Sequence, residues 1–468
     1  MSTETRLLSL PGLFLAAIAL SVVFFAAVPC LGQDDGGNNG GNDNGGNTLN
    51  TGDTLAISNI GGVRIDAKGV LSSPTINAKQ LQRIRQRALA AVDADLNAYT
   101  DLRFVSLRKL AERVEESRQK GSPLPDEIRF LAGLQRVQYV LAMPKSNDII
   151  LGGPAEGWKA DRLGNIVGVT TGRPVLLLDD LIVALQVYGE RGGVATCSID
   201  PTPEGMQRLR AVVRQLRPND SAKTSMRRIE KALGPQTITI EGIDDTTHFA
   251  RVMIAADYRM KRIAMKFEPA PISGLPSYFD MMKYQSGGMS NIFPRWWLAP
   301  SFDALHTDGD KLSWEIRGPG VQCMTEDTAF ASDGRATTTG RSSKAAQRWA
   351  DTMTAKYGEL ADHDSTFAQL RNLMDLAVVA ALIGQEQLEQ RGGVDLSGLA
   401  SATLSERYQA PQQVATQASL IRKGGKRLVS ASGGVEVSPW KAVEQAEQAD
   451  LTAIHSKATP SNDAWWWQ

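Results

Sequence analysis

Cysteine and histidine are scarce in this sequence, which contains three Cys and four His among 468 residues. So few cysteines exclude a small domain held together by disulfides and also a Cys-rich zinc protein. The histidines are scattered singly, and the sequence has no HExxH, GxSxG or CxxC motif and no Gly-rich phosphate loop. We therefore expect neither a bound metal nor a cofactor.

An excess of charge of one sign is also missing, because 51 Lys and Arg balance 51 Asp and Glu. Proteins that bind nucleic acids normally carry a basic surplus or a basic stripe. The sequence therefore predicts no nucleic-acid partner. Aromatic residues make up only 6% of the chain, but hydrophobic residues make up 42%, which is enough for a sizeable core.

The first 32 residues are typical of a secretory signal peptide. Arg6 precedes a stretch without charge from Leu7 to Gln33, whose densest apolar run is LFLAAIALSVVFFAAV. The small residues Cys30 and Gly32 predict cleavage before Gln33. An uncleaved membrane anchor and a lipidated Cys30 are the alternatives. All three predict that the folded part lies outside the cytoplasm, in the periplasm or secreted.

Residues 33–52 form a segment rich in Gly, Asn and Asp, with six Gly and six Asn between Gln33 and Asn50. This composition cannot bury enough apolar surface to offset the entropy of the chain. The segment is therefore predicted to be a disordered tether.

The rest of the chain alternates between the apolar spacings of strands and helices. Leu107–Lys120 is predicted to be a helix capped by Ser106, 244–266 is predicted to be another helix, and a short buried strand at Val175–Leu178 is predicted to enter a third. This alternation predicts an α/β or α+β fold, with a mixed sheet and helices. We divide it into residues 53–135, 136–268, 269–390 and an extended C-terminal region, 391–468.

Carboxylates are the strongest candidates for chemistry. If the strands before them are parallel, their side chains meet at the carboxyl edge of one sheet, where α/β active sites lie. The alternative is that each Asp caps the following helix. The residues in question are Asp179, Asp180, Asp200, Asp244 and Asp245.

Two further polar residues, His248 and Asp257, are candidates on the predicted 244–266 helix. Asp257 is spaced to form an ion pair with Lys261, which is either structural or functional. Cys197 and His248 form a candidate thiol–imidazole pair oriented by Asp200 or Asp244. The alternative is that Cys197 is a small buried strand residue and His248 lies in the first turn of its helix.

Cys197 and Cys323 are the thiols that remain after cleavage of the signal peptide. Export to an oxidising compartment allows a disulfide between them, and the alternative is two separately buried thiols.

The sequence ends with Trp465, Trp466 and Trp467. Three consecutive indoles have no period that buries them all on one face of a helix or strand. They therefore either fold back onto the body or contact a partner or a membrane interface. We consider them candidate binding residues.

Several segments together resemble a family of exported proteins of planctomycete bacteria that is known only as a domain of unknown function. The resemblance lies in NDIILGGPAEGW, RPVLLLDD, CSIDPTPEG, HFARVMIAADYRMKR, RNLMDLAVVAALI and the Trp-rich end. It covers most of the chain after the tether and implies no activity or site residue. We therefore expect a non-enzymatic binding or structural component of the cell envelope or extracellular matrix, whose partner is a protein or polymer. A membrane contact is expected only through an uncleaved signal or the Trp tail. The alternative is an extracytoplasmic hydrolase that uses the clustered Asp carboxylates.

Overall fold

The structure is a computed structural model of the chain. It describes residues 63–65, 70–72, 94–216, 220–282, 292–330, 335–416, 418–422, 426–430, 432–458 and 466–467. These residues belong to one compact unit, Gly52–Gln468. The predicted signal peptide, tether and Trp465 lie outside the described residues.

Fifteen α-helices are found in the described part of the chain. They are α1 Ala94–Asn97, α2 Leu107–Lys120, α3 Asp126–Arg129, α4 Leu178–Tyr188, α5 Pro203–Gln215, α6 Ala222–Leu233, α7 His248–Ala264, α8 Tyr278–Met281, α9 Lys344–Ala355, α10 Tyr357–His363, α11 Ser365–Gln385, α12 Leu388–Gly392, α13 Ser397–Ala400, α14 Trp440–Val443 and α15 Thr452–Lys457.

The strands fall into two large sheets and two short hairpins. They are β1 Arg64–Ile65, β2 Val70–Ser72, β3 Thr100–Ser106, β4 Tyr139–Met143, β5 Asp148–Ala155, β6 Trp158–Ala160, β7 Ile166–Gly168, β8 Ala195–Pro201, β9 Gln236–Glu241, β10 Ile292–Ser301, β11 Leu305–Thr307, β12 Ser313–Glu315, β13 Gly320–Phe330, β14 Ala336–Thr338, β15 Gln413–Val414, β16 Ala418–Arg422, β17 Lys426–Ser430, β18 Ser432–Val437 and β19 Ala446–Gln448.

Local sequence signals fix where several helices begin and end. The Ser106 side chain accepts a hydrogen bond from the Lys109 amide, and Gly121 ends α2 in the left-handed conformation that glycine adopts without strain. Thr202 caps α5 in the same way, with Pro203 in the first helical position. The predicted boundaries of α2 are therefore confirmed.

The larger sheet has the strand order β1-β2-β15-β9-β8-β18-β10-β13-β14. Most neighbours are antiparallel, but β18 runs parallel to β10 and β15 runs parallel to β2. The smaller sheet has the order β19-β11-β12-β4-β5-β3, so that β3 is an edge strand. The mixed sheet with helices is confirmed, and the class is α+β. Strands from all four of the parts proposed from the sequence share these sheets.

Two helices form the centre of the fold. Helix α7 packs against β8, β18 and β10, whereas α11 packs against α4, α7 and α10. Helix α11 is long and apolar enough to cross a membrane, but 94% of its most apolar window is buried inside the protein. It is therefore a core helix of the fold.

The prediction of a short strand at Val175–Leu178 is wrong. The chain there makes no ladder with a described strand, and α4 already begins at Leu178. A buried apolar run of this length fits a strand and the first turn of a buried helix equally well, so its period does not distinguish them. Asp179 and Asp180 therefore lie in the first turn of α4 rather than after a strand.

Candidate functional site

A buried imidazole–carboxylate pair lies where the N-termini of α4 and α7 meet. His248 is the first residue of α7, and its Nδ1 lies 2.9 and 3.0 Å from the two carboxylate oxygens of Asp180. Each side chain is only 6% exposed. Among the described residues, none bonds to the other ring nitrogen, Nε2. The pair therefore fixes the orientation of the ring through one nitrogen.

Residues 405–409 cover this pair and are tied to it by polar contacts. Asp179 accepts hydrogen bonds from the backbone amides of Ser405 at 2.9 Å and Glu406 at 3.1 Å. The Tyr408 hydroxyl donates to Glu406 at 2.5 Å, and its ring centroid lies 6.3 Å from that of His248. The two acids of α4 therefore have separate partners. Asp180 binds the imidazole, and Asp179 binds the covering segment.

Two arginines also contact the 405–409 segment. The buried Arg251 guanidinium lies over the Tyr408 ring, 4.7 Å from its centroid, and donates to the Gln409 carbonyl at 3.2 Å. Arg129 donates to Glu406 at 2.6 Å. This geometry combines a cation–π contact with charge-assisted hydrogen bonds.

The environment shifts the pKa of several of these groups. Burial by itself lowers the pKa of His248, but Asp180 and the more distant Glu406 and Asp179 outweigh it, so that the pKa is raised. Burial raises the pKa of Asp179, and its two backbone hydrogen bonds offset only part of that rise. Burial also lowers the pKa of Arg251 to about 10.

The pair has the geometry of a general base, because a carboxylate on Nδ1 leaves Nε2 to take a proton. The predicted orientation of His248 by Asp200 or Asp244 is wrong, because Asp180 orients the ring. No hydrogen bond joins Cys197 to His248 among the described residues. Cys197 is buried on β8 beside Asp257 and Lys261, and burial raises its pKa well above the ordinary value. Its alternative interpretation as a small buried strand residue is confirmed.

A second pair, Asp257 and Lys261, lies fully buried between α7 and the larger sheet. The Lys261 ammonium donates to Asp257 at 2.9 Å and to the carbonyls of Ile199 and Gly433 at 2.6 and 3.4 Å. Burial raises the pKa of Asp257 to about 6, although Lys261 opposes the shift. A side chain at Gly433 would collide with the Trp296 carbonyl and press on Lys261, so glycine is required for this close approach.

The acids predicted to meet at one sheet edge do not meet there. Strands β8 and β9 are antiparallel neighbours, with Asp200 opposite Thr237, so Asp200 and the Asp244–Asp245 pair lie at opposite ends of these strands. The predicted cluster of acids required parallel strands. After β8, however, the chain passes through helices α5 and α6 and then forms β9, which is antiparallel to β8. Asp179 and Asp180 lie close to His248, whereas Asp257 belongs to the separate buried pair with Lys261.

Each remaining acid has its own surroundings. Asp244 is exposed and accepts hydrogen bonds from the Thr246 hydroxyl at 2.6 Å, the Thr246 amide at 2.8 Å and Arg407 at 2.5 Å, which lower its pKa. Asp245 is exposed, and Asp200 is half-buried. Among the described residues, no group of three or more His, Cys, Asp or Glu is arranged to hold a metal ion.

Cys197 and Cys323 are free thiols that are buried separately. Cys197 lies on β8 and Cys323 on β13, with β18 and β10 between them in the sheet. Strand spacings of about 4.8 Å place them far beyond the reach of a disulfide. The alternative of two buried thiols is confirmed.

The described part of the Trp tail folds back onto β3. The Ser106 amide donates to the Trp466 carbonyl at 2.8 Å, and Trp467 forms a β-bridge with Val105. The Arg103 guanidinium lies 5.5 Å from the centroid of the Trp467 ring. Both indoles remain half-buried, so the tail covers the edge of the smaller sheet and still presents part of each ring.

Glu406, Tyr408 and Arg251 were missed by the sequence analysis. Residues 405–409 follow α4 by more than 200 positions and have no motif or apolar period that connects them to it. Only Arg251 carries a local signal, because a basic residue four positions from a helix N-cap is unfavourable with the dipole and calls for a specific partner.

With this geometry established, the chain can be compared with known proteins. Residues 197–278 match a family described as "Protein of unknown function (DUF1598)". The matched stretch runs from β8 to the first residue of α8 and contains His248, Asp257 and Lys261. No curated protein and no solved structure matches the chain. The DUF1598 stretch thus contributes residues to both buried pairs, whereas Asp180 and the 405–409 segment lie outside it.

We predict that His248 makes stability depend on pH. A histidine whose pKa is raised by folding stabilises the protein fully below its unfolded pKa, and this contribution is lost as pH rises through the folded pKa. The free energy of unfolding should therefore fall between about pH 6 and about pH 8.5, on either side of the ordinary histidine pKa. In His248→Gln this fall should be smaller. Urea unfolding at both pH values tests it, and an identical fall in the variant would contradict the prediction.

We also predict that Trp467 stabilises the fold. Trp467→Ala removes a half-buried indole and the Arg103 contact, which should lower the free energy of unfolding by about 1–3 kcal/mol. Tyr99→Ala, at an exposed aromatic residue, is the matched control and should change it by less than about 0.5 kcal/mol. Unchanged stability with reduced association with the envelope would instead favour a contact role for the tail.

Proposed function

We propose that this protein is exported and serves as a non-enzymatic binding or structural component of the cell envelope or extracellular matrix. The observation that carries the proposal is that the buried candidate acids bind groups of the protein itself. Asp179 holds two backbone amides, Asp180 holds an imidazole and Asp257 holds a buried ammonium. These groups act as internal ligands that hold distant segments together. The charge-free apolar run after Arg6 supports export.

The half-exposed indoles of Trp466 and Trp467 support a binding role. Trp combines a large apolar face with a polar N–H and is favoured at interfaces for that reason. The partner in this proposal is an envelope or extracellular protein or polymer.

Fractionation of cells that produce the full chain tests this proposal. We expect the protein in the envelope or medium with an N-terminus at Gln33, and we expect chemical cross-linking in intact cells to join it to a recurrent partner. A matched variant that places two Asp residues in the apolar run should stay in the cytoplasm. Recovery of the unaltered chain from the cytosol with Met1 intact would overturn the proposal.

An extracytoplasmic hydrolase is the second candidate, favoured by the His248–Asp180 pair. A carboxylate on Nδ1 is the arrangement that a general base needs. This function predicts that ester, glycoside or peptide substrates are turned over by the natural chain and that Asp180→Asn lowers turnover at least about 100-fold. Asp244→Asn, at an exposed acid, is the control. Equal turnover in Asp180→Asn would exclude this use of the pair.

A further inference from the structure

Arg371 is a buried cation for which the fold supplies no hydrogen-bond acceptor. It lies on α11, is only 8% exposed, and its Nε is buried without a partner. No residue in the described part of the chain accepts a hydrogen bond from its guanidinium. The nearest carboxylate oxygen, on Asp362, lies 3.8 Å from Nη2, beyond hydrogen-bond range. This Nε–H is one of the five N–H donors of the guanidinium, and burying it unpaired is costly.

The neighbouring acids are already committed to other arginines. Arg136 binds both oxygens of the fully buried Asp375 at 2.6 Å. Arg173 binds Asp362 at 3.1 Å. The cluster therefore contains three guanidinium groups and two carboxylates, which leaves one positive charge in excess.

Gly320 lies against the side chains of Arg371 and Arg136. Gly320, at the start of β13, has a φ of +84°. A Cβ at this position would lie 2.8 Å from Arg371 Cγ and 3.4 Å from Arg136 Nη2. Arg371 thus packs directly against this glycine, and any other residue here would press on both side chains. Burial and the adjacent Arg136 also lower the pKa of Arg371, although Asp375 and Asp362 oppose the shift.

We propose that Arg371, together with Arg136, binds a small oxyanion. The two outer nitrogens of a guanidinium fork match two oxygens of a phosphate, sulfate or carboxylate group. Such a ligand supplies the missing acceptors and neutralises the excess charge of the cluster. This inference is independent of the proposed function, because the site can be filled wherever the protein resides.

Thermal unfolding of the full chain with inorganic phosphate, sulfate or acetate tests this inference, with sodium chloride at equal ionic strength as the reference. We expect a saturable rise in Tm of about 2–5 °C with at least one oxyanion. Phosphate or sulfate as the effective ion identifies a tetrahedral ligand, and acetate identifies a carboxylate. The rise should disappear in Arg371→Met and persist in Arg113→Met, which removes the same charge from an exposed site on α2.

A second readout distinguishes binding from a structural role. Because Arg371 has no internal acceptor, Arg371→Met should be at least as stable as the natural chain in chloride alone. Arg371→Lys keeps the charge but loses the fork, and we expect titration calorimetry to show at least a tenfold weaker Kd for the effective ion. No rise in Tm with any oxyanion, or an equal rise in Arg371→Met, would overturn the inference.

Discussion

Replacing Lys261 by Met should lower the free energy of unfolding by about 3–5 kcal/mol, because it leaves the Asp257 carboxylate buried without its counter-ion. It also removes the donor to the carbonyls of Ile199 and Gly433. Urea or guanidinium unfolding measures the change. The control is Lys266→Met, just beyond the end of α7, whose exposed ammonium pairs with Asp280 and should matter by less than about 0.5 kcal/mol.

A double variant sharpens this test. Asp257→Leu combined with Lys261→Met replaces the whole pair by apolar groups. Such a replacement often changes the free energy of unfolding little, whereas removal of one partner alone lowers it strongly. The double variant should therefore be more stable than Lys261→Met alone, with a coupling free energy of at least about 1 kcal/mol. Equal losses in Lys261→Met and Lys266→Met would contradict the importance of the buried pair.

Asp375→Asn should have a comparable effect, with a loss of about 3–5 kcal/mol in the free energy of unfolding. The substitution keeps the shape of a fully buried side chain but removes the charge that holds Arg136 through two hydrogen bonds. Arg136 and Arg371 would then lie close together as like charges with little solvent.

The control for Asp375→Asn is Asp351→Asn on the neighbouring helix α9. Asp351 is exposed, and among the described residues only the Gln347 side chain donates a hydrogen bond to it. It should change the free energy of unfolding by less than about 0.5 kcal/mol. Comparable losses in the two variants would show that net charge, and not the Arg136 pair, is responsible.

Features that depend on neighbours in the sequence could be predicted from it. Ser106 and Gly121 bound α2 as expected, and the spacing of Asp257 and Lys261 correctly predicted an ion pair. In each case the interacting groups lie within one or two helical turns, so the chain geometry alone brings them together. The burial of the Asp257 pair was not evident, because it depends on which sheet face covers α7.

The rest of the candidate site depends on contacts between distant positions. Asp180 and His248 are 68 positions apart, and the 405–409 segment follows much later. Nothing in the local sequence determines that α4 and α7 meet at their N-termini. The antiparallel pairing of β8 and β9 likewise follows from the packing of the whole sheet. The local sequence therefore could not show whether the acids meet at one sheet edge.

The position of β18 in the larger sheet governs the order in which this protein can fold. Strand β18, at Ser432–Val437, lies between β8 and β10, which precede it by more than 100 residues. A ribosome must therefore release nearly the entire chain before these two strands gain their shared neighbour. Until then the backbone groups of both strand edges remain open to water and to other chains. Pairings of such long sequence separation form slowly, and nascent chains of this protein should be clients for chaperones that shield strand edges.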